Sequence, residues 1–258
     1  MRDFNVFGII PARYASTRFP GKPLALLGGK PVVQWVWENV STLPELAGAV
    51  VATDDERIAE AVEGFGGRAM MTASTHRSGT DRCGEVVRKL REEGQECDVA
   101  INVQGDEPFV QQEQLRALIE CFADDEVQIA TLKTSIRSTE ELLSPNNVKV
   151  VCDLRGSALY FSRQPLPYQR GVESAQWVDC YPYFKHVGIY AFRTAVLEKL
   201  VCLPQSPMEK SESLEQLRWP ENGYRIHVRE TSVANIGIDT PADMAEAESY
   251  LNAMKLCK

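Results

Sequence analysis

The first half of the chain alternates between short apolar runs and segments of helical periodicity, and this alternation restricts the fold more than any other feature. Continuous apolar runs at 4–11, 48–53 and 98–105 are typical of strands buried on both faces of a parallel sheet. The intervening patterns predict helices at 31–42, 55–67, 81–94 and 111–124 and strands at 68–72 and 127–136. Because strands that alternate with helices form parallel β-α-β units, the sequence predicts an α/β fold with a mostly parallel, doubly wound sheet.

The pattern changes from about residue 145, where β-rich segments replace the alternation. Segments 148–153 and 156–163 predict two strands paired across a turn, and 183–192 predicts a long strand with many aromatic residues. The remaining patterns predict helices near 194–201, 209–218 and 240–256 and a strand at 224–230. We therefore expect one domain spanning residues 1–258, with a β-rich inserted subregion at about 150–230.

Composition and charge restrict the class of protein. With 44% hydrophobic and 25% charged residues, a chain of 258 residues can bury a large core. Lysine and arginine total 28 against 36 acidic residues, so a surface of net charge -8 is expected to repel nucleic acid.

The cysteines and the apolar runs indicate the compartment. No pair of the seven cysteines forms a C-x-x-C motif, which favours reduced thiols over a disulfide framework or a zinc site. The first apolar run is too short for a signal peptide, and no run approaches the roughly 18 apolar residues of a membrane span. We expect a soluble, cytoplasmic protein that does not bind membranes.

The segment PARYASTRFPGKPL at 11–24 follows the first predicted strand and carries Arg13, Arg18 and Lys22. It lies at the edge of the sheet where ligands of doubly wound folds bind. It matches neither the P-loop pattern nor G-x-G-x-x-G. Arginine and lysine side chains, together with exposed backbone N–H groups around Gly21, nevertheless suit a polyphosphate. We favour a phosphate site over the alternative of a solvated basic loop.

Two carboxylates follow other strand-like segments. Asp106, in NVQGDEPFV, comes directly after the buried run at 98–105, and Asp239, in IGIDTPADM, precedes the last helix. Nucleoside triphosphates bind as magnesium complexes, and the magnesium ion usually takes one or two protein carboxylates as ligands. Asp106 is therefore the natural candidate ligand, and Asp239 is the candidate for a second. Glu107 is expected to be structural. Asp239 taken alone is better explained as an acid at a helix start, and only its pairing with Asp106 makes it a candidate ligand.

Two further stretches could contact substrates. In HRSGTDR, residues Ser78, Gly79 and Thr80 could meet a ribose or a base, although an ordinary loop with a helix cap explains them equally well. Arg163 could pair with a carboxylate, and His186 and Tyr190, four apart on a predicted strand, point to one face. Each of these residues taken singly is more often structural.

The motifs occur in a specific order across nearly the whole chain: IIPARYASTRFPGKPL, HRSGTDR, NVQGDEP, NNVKVV, ALYFSR, HVGIYAF, SLEQLR and GIDTP. As an ordered set they resemble the 3-deoxy-manno-octulosonate cytidylyltransferase (CMP-Kdo synthetase) family. The resemblance implies a glycosyltransferase-A-like nucleotidyltransferase fold, usually as a homodimer. It implies a reaction of CTP with Kdo that gives CMP-Kdo and diphosphate, with Mg²⁺, for lipopolysaccharide biosynthesis.

The resemblance also implies roles for individual residues. Catalytic roles fall to Lys22, Arg18, Asp106 and Asp239, of which the two aspartates are metal ligands. Nucleotide binding falls to Arg13, Arg18, Lys22, Ser78, Gly79, Thr80, Arg82 and Gln104. Sugar binding falls to Gln104, Arg163, His186, Tyr190, Glu215 and Gln216.

Three alternatives remain at this point. A cytidylyltransferase for another acidic sugar, such as sialic acid, would use the same chemistry and differ only in its sugar pocket. A nicotinamide-dependent dehydrogenase would share the alternating pattern, but the missing G-x-G-x-x-G and the cationic first loop disfavour it. A non-catalytic nucleotide-binding module would not need paired carboxylates.

Overall fold

The structure is a computed structural model that describes residues 4–15, 19–233, 237–238 and 240–256. Two of the predicted site residues, Arg18 and Asp239, lie outside the described residues. The others are all described.

The elements agree closely with the predicted pattern. As far as residue 121 they are β1 (Val6–Pro11), β2 (Leu26–Leu27), β3 (Lys30–Pro31), α1 (Val32–Ser41), β4 (Gly48–Thr53), α2 (Glu56–Gly64), β5 (Ala69–Met71), α3 (Gly79–Glu92), β6 (Val99–Asn102) and α4 (Gln112–Cys121). They continue with β7 (Ile129–Ser135), α5 (Thr139–Leu143), β8 (Lys149–Cys152), β9 (Ala158–Ser162), α6 (Trp177–Cys180), β10 (Phe184–Arg193), α7 (Thr194–Leu200), α8 (Pro207–Glu212), α9 (Arg218–Glu221), β11 (His227–Glu230) and α10 (Pro241–Leu256).

The chain divides into two compact units. Unit A comprises Arg2–Arg116 and Asn235–Lys258, and unit B comprises Ala117–Ala234 together with Met1. Unit B contains the β-rich subregion expected at about 150–230 but begins earlier. That the whole chain forms one nucleotidyltransferase domain stays a prediction.

Unit A contains a parallel sheet in the order β6–β1–β4–β5. All six residues of β1 are buried, as the continuous apolar run predicts. From β1 the chain moves outward to β4 and β5 and then returns to place β6 on the other side of β1. The order therefore reverses between β1 and β6. In doubly wound sheets a crevice opens beyond the carboxyl ends of the strands at this switch point.

The helices of unit A begin at side-chain caps and bury one apolar face. Asp55 caps α2 and Ser78 caps α3, because each side chain accepts a hydrogen bond from an N–H of the first turn. Helix α1 buries four valines along one face, as its predicted periodicity requires. Leu27 and Val32 form a core cluster with Phe109, Ile238, Ala247 and Leu251, which ties α10 to the N-terminal half of the unit.

Unit B contains a mixed sheet. Strand β7 pairs in parallel with β11 and antiparallel with β10, and β8 pairs antiparallel with both β10 and β9. The predicted pairing of 148–153 with 156–163 is therefore confirmed.

The helix predicted at 209–218 is interrupted. Helix α8 ends at Glu212, and a 3₁₀ turn at Glu215–Leu217 precedes α9. The break falls at Ser213, which has a left-handed φ of 53°. Helices α5 and α6 had no sequence prediction, because they are only five and four residues long and carry no full amphipathic period.

Among the described residues, no helix combines the length and the apolar character that a membrane span requires.

Candidate active site

A cleft in unit A opens at the switch point between β1 and β6. Its walls come from the segment after β1, the start of α3 and the segment after β6. The lining residues are Pro11, Ala12, Arg13, Lys22, Pro23, His76, Arg77, Ser78, Gly79, Arg82, Gln104, Gly105 and Asp106. The structure thus brings together seven of the predicted site residues. These seven are Arg13, Lys22, Ser78, Gly79, Arg82, Gln104 and Asp106.

The loop after β1 is folded back so that Lys22 faces the cleft. Gly21 has φ 72°, a conformation that glycine adopts without a steric penalty, and its N–H donates to the Tyr14 carbonyl at 2.9 Å. The Tyr14 ring lies on the Arg57 guanidinium, with 3.4 Å between the guanidinium carbon and the ring centroid. A 3₁₀ turn at Lys22–Leu24 follows directly. Arg13 is exposed on the same loop.

Lys22 and Asp106 form an ion pair in the cleft. The Lys22 Nζ donates to the Asp106 Oδ2 at 2.5 Å. The lysine side chain is 10% exposed and the aspartate side chain 30% exposed. The backbone carbonyl of Asp106 accepts a hydrogen bond from the N–H of Ile238 at 2.9 Å. The free protein thus holds a largely buried ammonium against the carboxylate predicted to bind metal.

The start of α3 forms another wall. Ser78 caps the helix by accepting a hydrogen bond from the Asp81 N–H at 3.1 Å, so its hydroxyl also has a structural role. Ser78 and Gly79 line the cleft at the positive end of a 14-residue helix, where N–H groups without helical partners attract anions. Thr80, on the same turn, is buried and does not line the cleft.

Arg82 and Gln104 are held by protein groups. The Arg82 guanidinium donates to the Thr72 hydroxyl and lies 3.4 Å from the Asp54 carboxylate, and the residue is only 4% exposed. The Gln104 amide donates to the Asn102 side-chain oxygen at 3.1 Å. Both residues shape the cleft wall. Because the Arg82 guanidinium is buried and already has protein partners, we expect it to attract an anion through its positive charge and not through a direct hydrogen bond.

Sequence reasoning missed two lining residues with polar side chains, His76 and Arg77. Both lie in the HRSGTDR motif, so the motif itself was the signal that could have identified them. The His76 Nε2 is 2.5 Å from the Glu85 Oε2. Burial alone would raise the pKa of Glu85, but hydrogen bonds from the Ala73 N–H, Lys89 and His76 outweigh it and lower that pKa to about 2. Glu85 therefore stays ionised and fixes the segment before α3.

Gly105 marks a close backbone approach at the floor of the cleft. Its N–H donates to the Pro11 carbonyl at 3.2 Å, and a Cβ atom at this position would lie 2.8 Å from that carbonyl oxygen.

We expect Gly105→Ala to lower the free energy of unfolding by about 1–3 kcal/mol, because the segments that follow β1 and β6 must separate to make room for the added methyl group. Urea unfolding measures the loss. Gly64→Ala is the matched control, because no heavy atom lies within 4 Å of its added Cβ; an equal loss in both variants would contradict the assignment.

The described part of unit A can supply one carboxylate to a magnesium ion. Asp106 faces the cleft, whereas no group of three or more His, Cys, Asp or Glu side chains among the described residues is arranged to hold a metal. A single carboxylate beside cationic groups fits a magnesium ion that takes its other ligands from phosphates and water. The chain offers no preformed metal cage in these residues. Glu107, expected to be structural, lies about 3.0 Å from a Cβ built at Gly237 and does not line the cleft.

The predicted sugar-binding residues other than Gln104 lie in unit B. His186 and Tyr190 are in contact, with ring centroids 5.2 Å apart. Four residues of regular strand would separate them by about 13 Å, so this contact requires an irregularity. Strand β10 has one: its register with β7 shifts between Val187 and Tyr190. The Tyr190 hydroxyl is buried and has no hydrogen-bond partner among the described residues.

Burial lowers the pKa of His186 to about 3, so its imidazole is neutral in the folded protein at neutral pH. In the unfolded chain it protonates near the ordinary value of about 6.5. Below about pH 6.5 the unfolded state therefore binds more protons than the folded state, so the free energy of unfolding decreases as the pH is lowered. Between pH 7 and pH 5 this histidine should lower the free energy of unfolding by about 2 kcal/mol. We expect His186→Gln to remove this loss of stability between pH 7 and pH 5, as measured by urea unfolding at each pH. If the free energy of unfolding of the variant and of the wild-type protein decreased in parallel, His186 would not be the buried neutral group.

Arg163 holds backbone segments of unit B. Its guanidinium donates to the carbonyls of Glu212 at 2.8 Å, Pro145 at 3.0 Å and Ser213 at 3.4 Å. These bonds use three of its five N–H groups and leave two for a ligand. The predicted pairing with a carboxylate is therefore compatible with the structure, but the same side chain also fixes the turn at Ser213.

Glu215 and Gln216 lie on the 3₁₀ turn that follows Ser213. Arg218 anchors this turn, because it donates to the Glu209 carboxylate at 2.7 and 2.6 Å, and both residues are buried. Burial first, and the Glu215 charge second, raise the pKa of Tyr190 well above its ordinary value. Unit B thus places Tyr190 close to the Glu215 charge and in ring contact with His186.

The family model and two highly similar sequences both describe cytidylyltransferases. A family model described as Cytidylyltransferase matches residues 7–226. A 3-deoxy-manno-octulosonate cytidylyltransferase from Phocaeicola vulgatus is 54% identical over 247 residues, which are 95% of this chain and 96% of that protein. The protein of the same name from Bacteroides thetaiotaomicron is 53% identical over 247 residues, which are 95% of this chain and 97% of that protein.

Solved structures agree with these relatives. CMP:2-keto-3-deoxy-manno-octonic acid synthetase, solved in complex with CTP, superposes with a TM-score of 0.89 at 42% identity. The match covers 97% of this chain and 99% of that one. A cytidylyltransferase from Leptospira borgpetersenii superposes with a TM-score of 0.61 at 15% identity, covering 97% and 87%, which supports the fold alone.

Proposed function

Because the chain belongs to the 3-deoxy-manno-octulosonate cytidylyltransferase family, we propose that it transfers the cytidylyl group of CTP to Kdo, giving CMP-Kdo and diphosphate. The observation that carries the proposal furthest is the cleft at the β1/β6 switch point. It gathers Arg13, Lys22, the start of α3 and Asp106 around one space. Kdo is favoured over sialic acid because the full-length relatives described above carry the Kdo name.

The cleft suits a nucleoside triphosphate. Arg13, Lys22, Arg77 and Arg82 line it, against the single carboxylate of Asp106. The N-terminus of α3 adds the positive end of a helix dipole. Lys22, now bound to Asp106, would exchange that partner for phosphate oxygens when CTP binds. Arg18 lies outside the described residues and is proposed as a further phosphate contact.

Asp106 and Asp239 are the proposed ligands of a magnesium ion. Support comes from Asp106, which faces the cleft, and from the hydrogen bond of Ile238, the residue before Asp239, to the Asp106 carbonyl. When bound, magnesium would supply divalent positive charge beside the phosphates.

The remaining steps belong to protein side chains. Kdo and CTP are both anionic, so they repel each other unless cationic groups offset their charges. We expect the anomeric hydroxyl of Kdo to attack the α-phosphorus directly, while diphosphate leaves toward Lys22 and its cationic neighbours. The enclosed ammonium of Lys22 stabilises the charge that develops on the leaving group. No protein nucleophile is required.

Arg163, His186, Tyr190, Glu215 and Gln216 of unit B are proposed as contacts of the sugar acid, and a contact from Gln104 stays a prediction. The support is the buried Tyr190 hydroxyl, which has no partner in the described part of the chain. Buried hydroxyls are nearly always hydrogen-bonded, so an unpaired one beside a neutral histidine suits a polar ligand. The two remaining N–H groups of Arg163 suit the carboxylate of the sugar acid.

The test is a diphosphate-release assay on a panel. Each nucleoside triphosphate is combined with Kdo or sialic acid, with and without Mg²⁺. We expect release only with CTP, Kdo and Mg²⁺ together. Comparable turnover of sialic acid would favour the second sugar, and CTP binding without release would favour a binding module.

Arg163→Ala should raise the KM for Kdo by about tenfold or more and change the KM for CTP much less. The physical reason is that the variant loses a charge-assisted bond to the sugar carboxylate and the bonds that fix the Ser213 turn. Steady-state kinetics with each substrate varied in turn measures both constants. Equal increases in the two constants would remove Arg163 from the sugar site.

We further propose that the protein is a cytoplasmic homodimer whose product enters lipopolysaccharide biosynthesis. Strand β10 is a poor candidate for the dimer contact, because Val187, Ile189 and Phe192 are buried. Leu154 and Leu159, in the same 150–230 subregion, are exposed at 107% and 61% and are better candidates for a contact. Sedimentation velocity of the purified protein measures the oligomeric state.

A further inference from the structure

Thr131 of β7 is completely buried and lies opposite the irregularity in β10. Val187 pairs with Leu132 and Tyr190 pairs with Thr131, so two residues of β10, Gly188 and Ile189, have no counterpart on β7. This bulge shortens the distance between His186 and Tyr190 and brings their rings into contact. The position opposite the bulge therefore controls two residues of the proposed sugar site.

The Thr131 hydroxyl has three polar neighbours. Its Oγ1 lies 2.8 Å from the Ile189 carbonyl oxygen, 3.2 Å from the Val187 carbonyl oxygen and 3.0 Å from the His186 Nε2. A hydroxyl carries one proton, and a carbonyl oxygen can only accept. The hydroxyl must therefore donate its one proton toward these carbonyls, chiefly to the nearer one of Ile189, and accept from the histidine.

This hydrogen-bond network assigns the tautomer of His186. Since the Thr131 oxygen accepts, the proton of the neutral imidazole lies on Nε2, and Nδ1 carries a lone pair. The hydrogen bond between the imidazole and Thr131 is made through Nε2, so it does not occupy Nδ1. His186 thus offers an acceptor, and the adjacent Tyr190 offers a buried O–H donor that has no partner in the described chain.

We propose that Thr131 is a positioning residue of the sugar site: its hydroxyl holds the β10 bulge and fixes His186 as the Nε2–H tautomer, so that Nδ1 accepts a hydrogen bond from a hydroxyl of the sugar acid. The proposal rests on the proposed function for the identity of the ligand. The tautomer and its cause depend only on the contacts of Thr131.

The first measurement is independent of activity. Nitrogen NMR of imidazole-labelled protein distinguishes a protonated from an unprotonated Nδ1, and the chain has only three histidines to assign. We expect His186 in the wild-type protein to show a protonated Nε2 and an unprotonated Nδ1. The opposite tautomer would overturn the proposal, whether or not the protein uses Kdo.

The second measurement compares Thr131→Val with Thr131→Ser. Valine matches threonine in shape but lacks the hydroxyl, whereas serine retains it. We expect Thr131→Val to raise the KM for Kdo about tenfold, with the KM for CTP within about twofold of wild type, as the loss of one oriented hydrogen bond implies. Thr131→Ser should restore the Kdo KM to within about threefold of wild type and keep the Nε2–H signal.

Thr134→Val is the matched control, because Thr134 lies on the same strand and pairs with Lys185 instead of the bulge. It should leave both constants unchanged. A folded Thr131→Val protein with the wild-type KM for Kdo, or a Thr131→Ser protein as impaired as the valine variant, would overturn the proposal. If Thr131→Val does not fold, the proposal is tested by the KM for Kdo of Thr131→Ser and by the tautomer of His186 in the wild-type protein. A wild-type protein that does not turn over Kdo would instead contradict the proposed function.

Discussion

Replacing Asp106 by asparagine is expected to reduce kcat by about a thousandfold, the range found when a preorganised charge-stabilising group is removed from an active site. Asparagine has the same shape and can still accept a hydrogen bond from the Lys22 ammonium, which lies 2.5 Å away. It lacks the negative charge that a magnesium ligand needs. Initial rates at saturating CTP and Kdo measure the loss, and a magnesium titration should show a weaker apparent affinity.

The Asp106→Asn protein should remain folded. The Asp106 side chain is 30% exposed, and the asparagine amide oxygen can still accept the hydrogen bond of the Lys22 ammonium, so the ammonium keeps a partner. Thermal unfolding checks this. Asp55→Asn is the matched control, because Asp55 caps α2 and does not line the cleft, and asparagine is an equally good cap. Full activity of Asp106→Asn would refute the metal role.

Replacing Lys22 by methionine is expected to reduce kcat/KM by about a hundredfold to a thousandfold. Methionine keeps much of the buried aliphatic volume but removes the ammonium from a side chain that is only 10% exposed. An enclosed charge interacts more strongly with phosphate oxygens than a solvated one does, because less water screens it. The effect should appear in kcat as well as in the KM for CTP, since charge on the leaving group increases in the transition state.

Lys30→Met is the control for this prediction. Lys30 belongs to the same unit, but it pairs with Glu38 at 2.8 Å and its side chain is 42% exposed. We expect its kinetic constants to change by less than about twofold, as for most surface ion pairs. Similar losses in the two variants would mean that total positive charge matters and that the position of Lys22 does not.

The arrangement of unit A was predictable because its determinants are local. Apolar runs such as 48–53 predict buried parallel strands, and all parallel strands present their carboxyl ends at one edge. Segments that directly follow such runs, such as 11–24 with Lys22 and the segment with Asp106, therefore begin at the same edge of the sheet. The sequence could indicate that these residues are neighbours without indicating their bond.

Other features depend on contacts that no local pattern encodes. Arg82 lies in a motif that indicates a ligand, yet its guanidinium bonds to Thr72 and lies near Asp54. The helix predicted at 209–218 breaks at Ser213, where Arg163 bonds the carbonyls on either side of the break. In both cases a partner distant in sequence outweighs the local preference, because a guanidinium carries five N–H donors that bond to any acceptor within reach.

By itself, the sequence determined the α/β pattern of unit A, the edge of its sheet that carries the cleft, and the chemical types of the side chains there. The periodicity of strands and helices determines which residues are buried, and the parallel arrangement determines that the carboxyl ends of the strands meet at one edge. Only the tertiary structure decided that Lys22 holds Asp106, 84 positions away, and that a bulge opposite Thr131 joins His186 to Tyr190. The physical reason is that periodicity specifies the direction of a side chain, whereas a hydrogen bond depends on tenths of an ångström that loop closure and strand irregularities set.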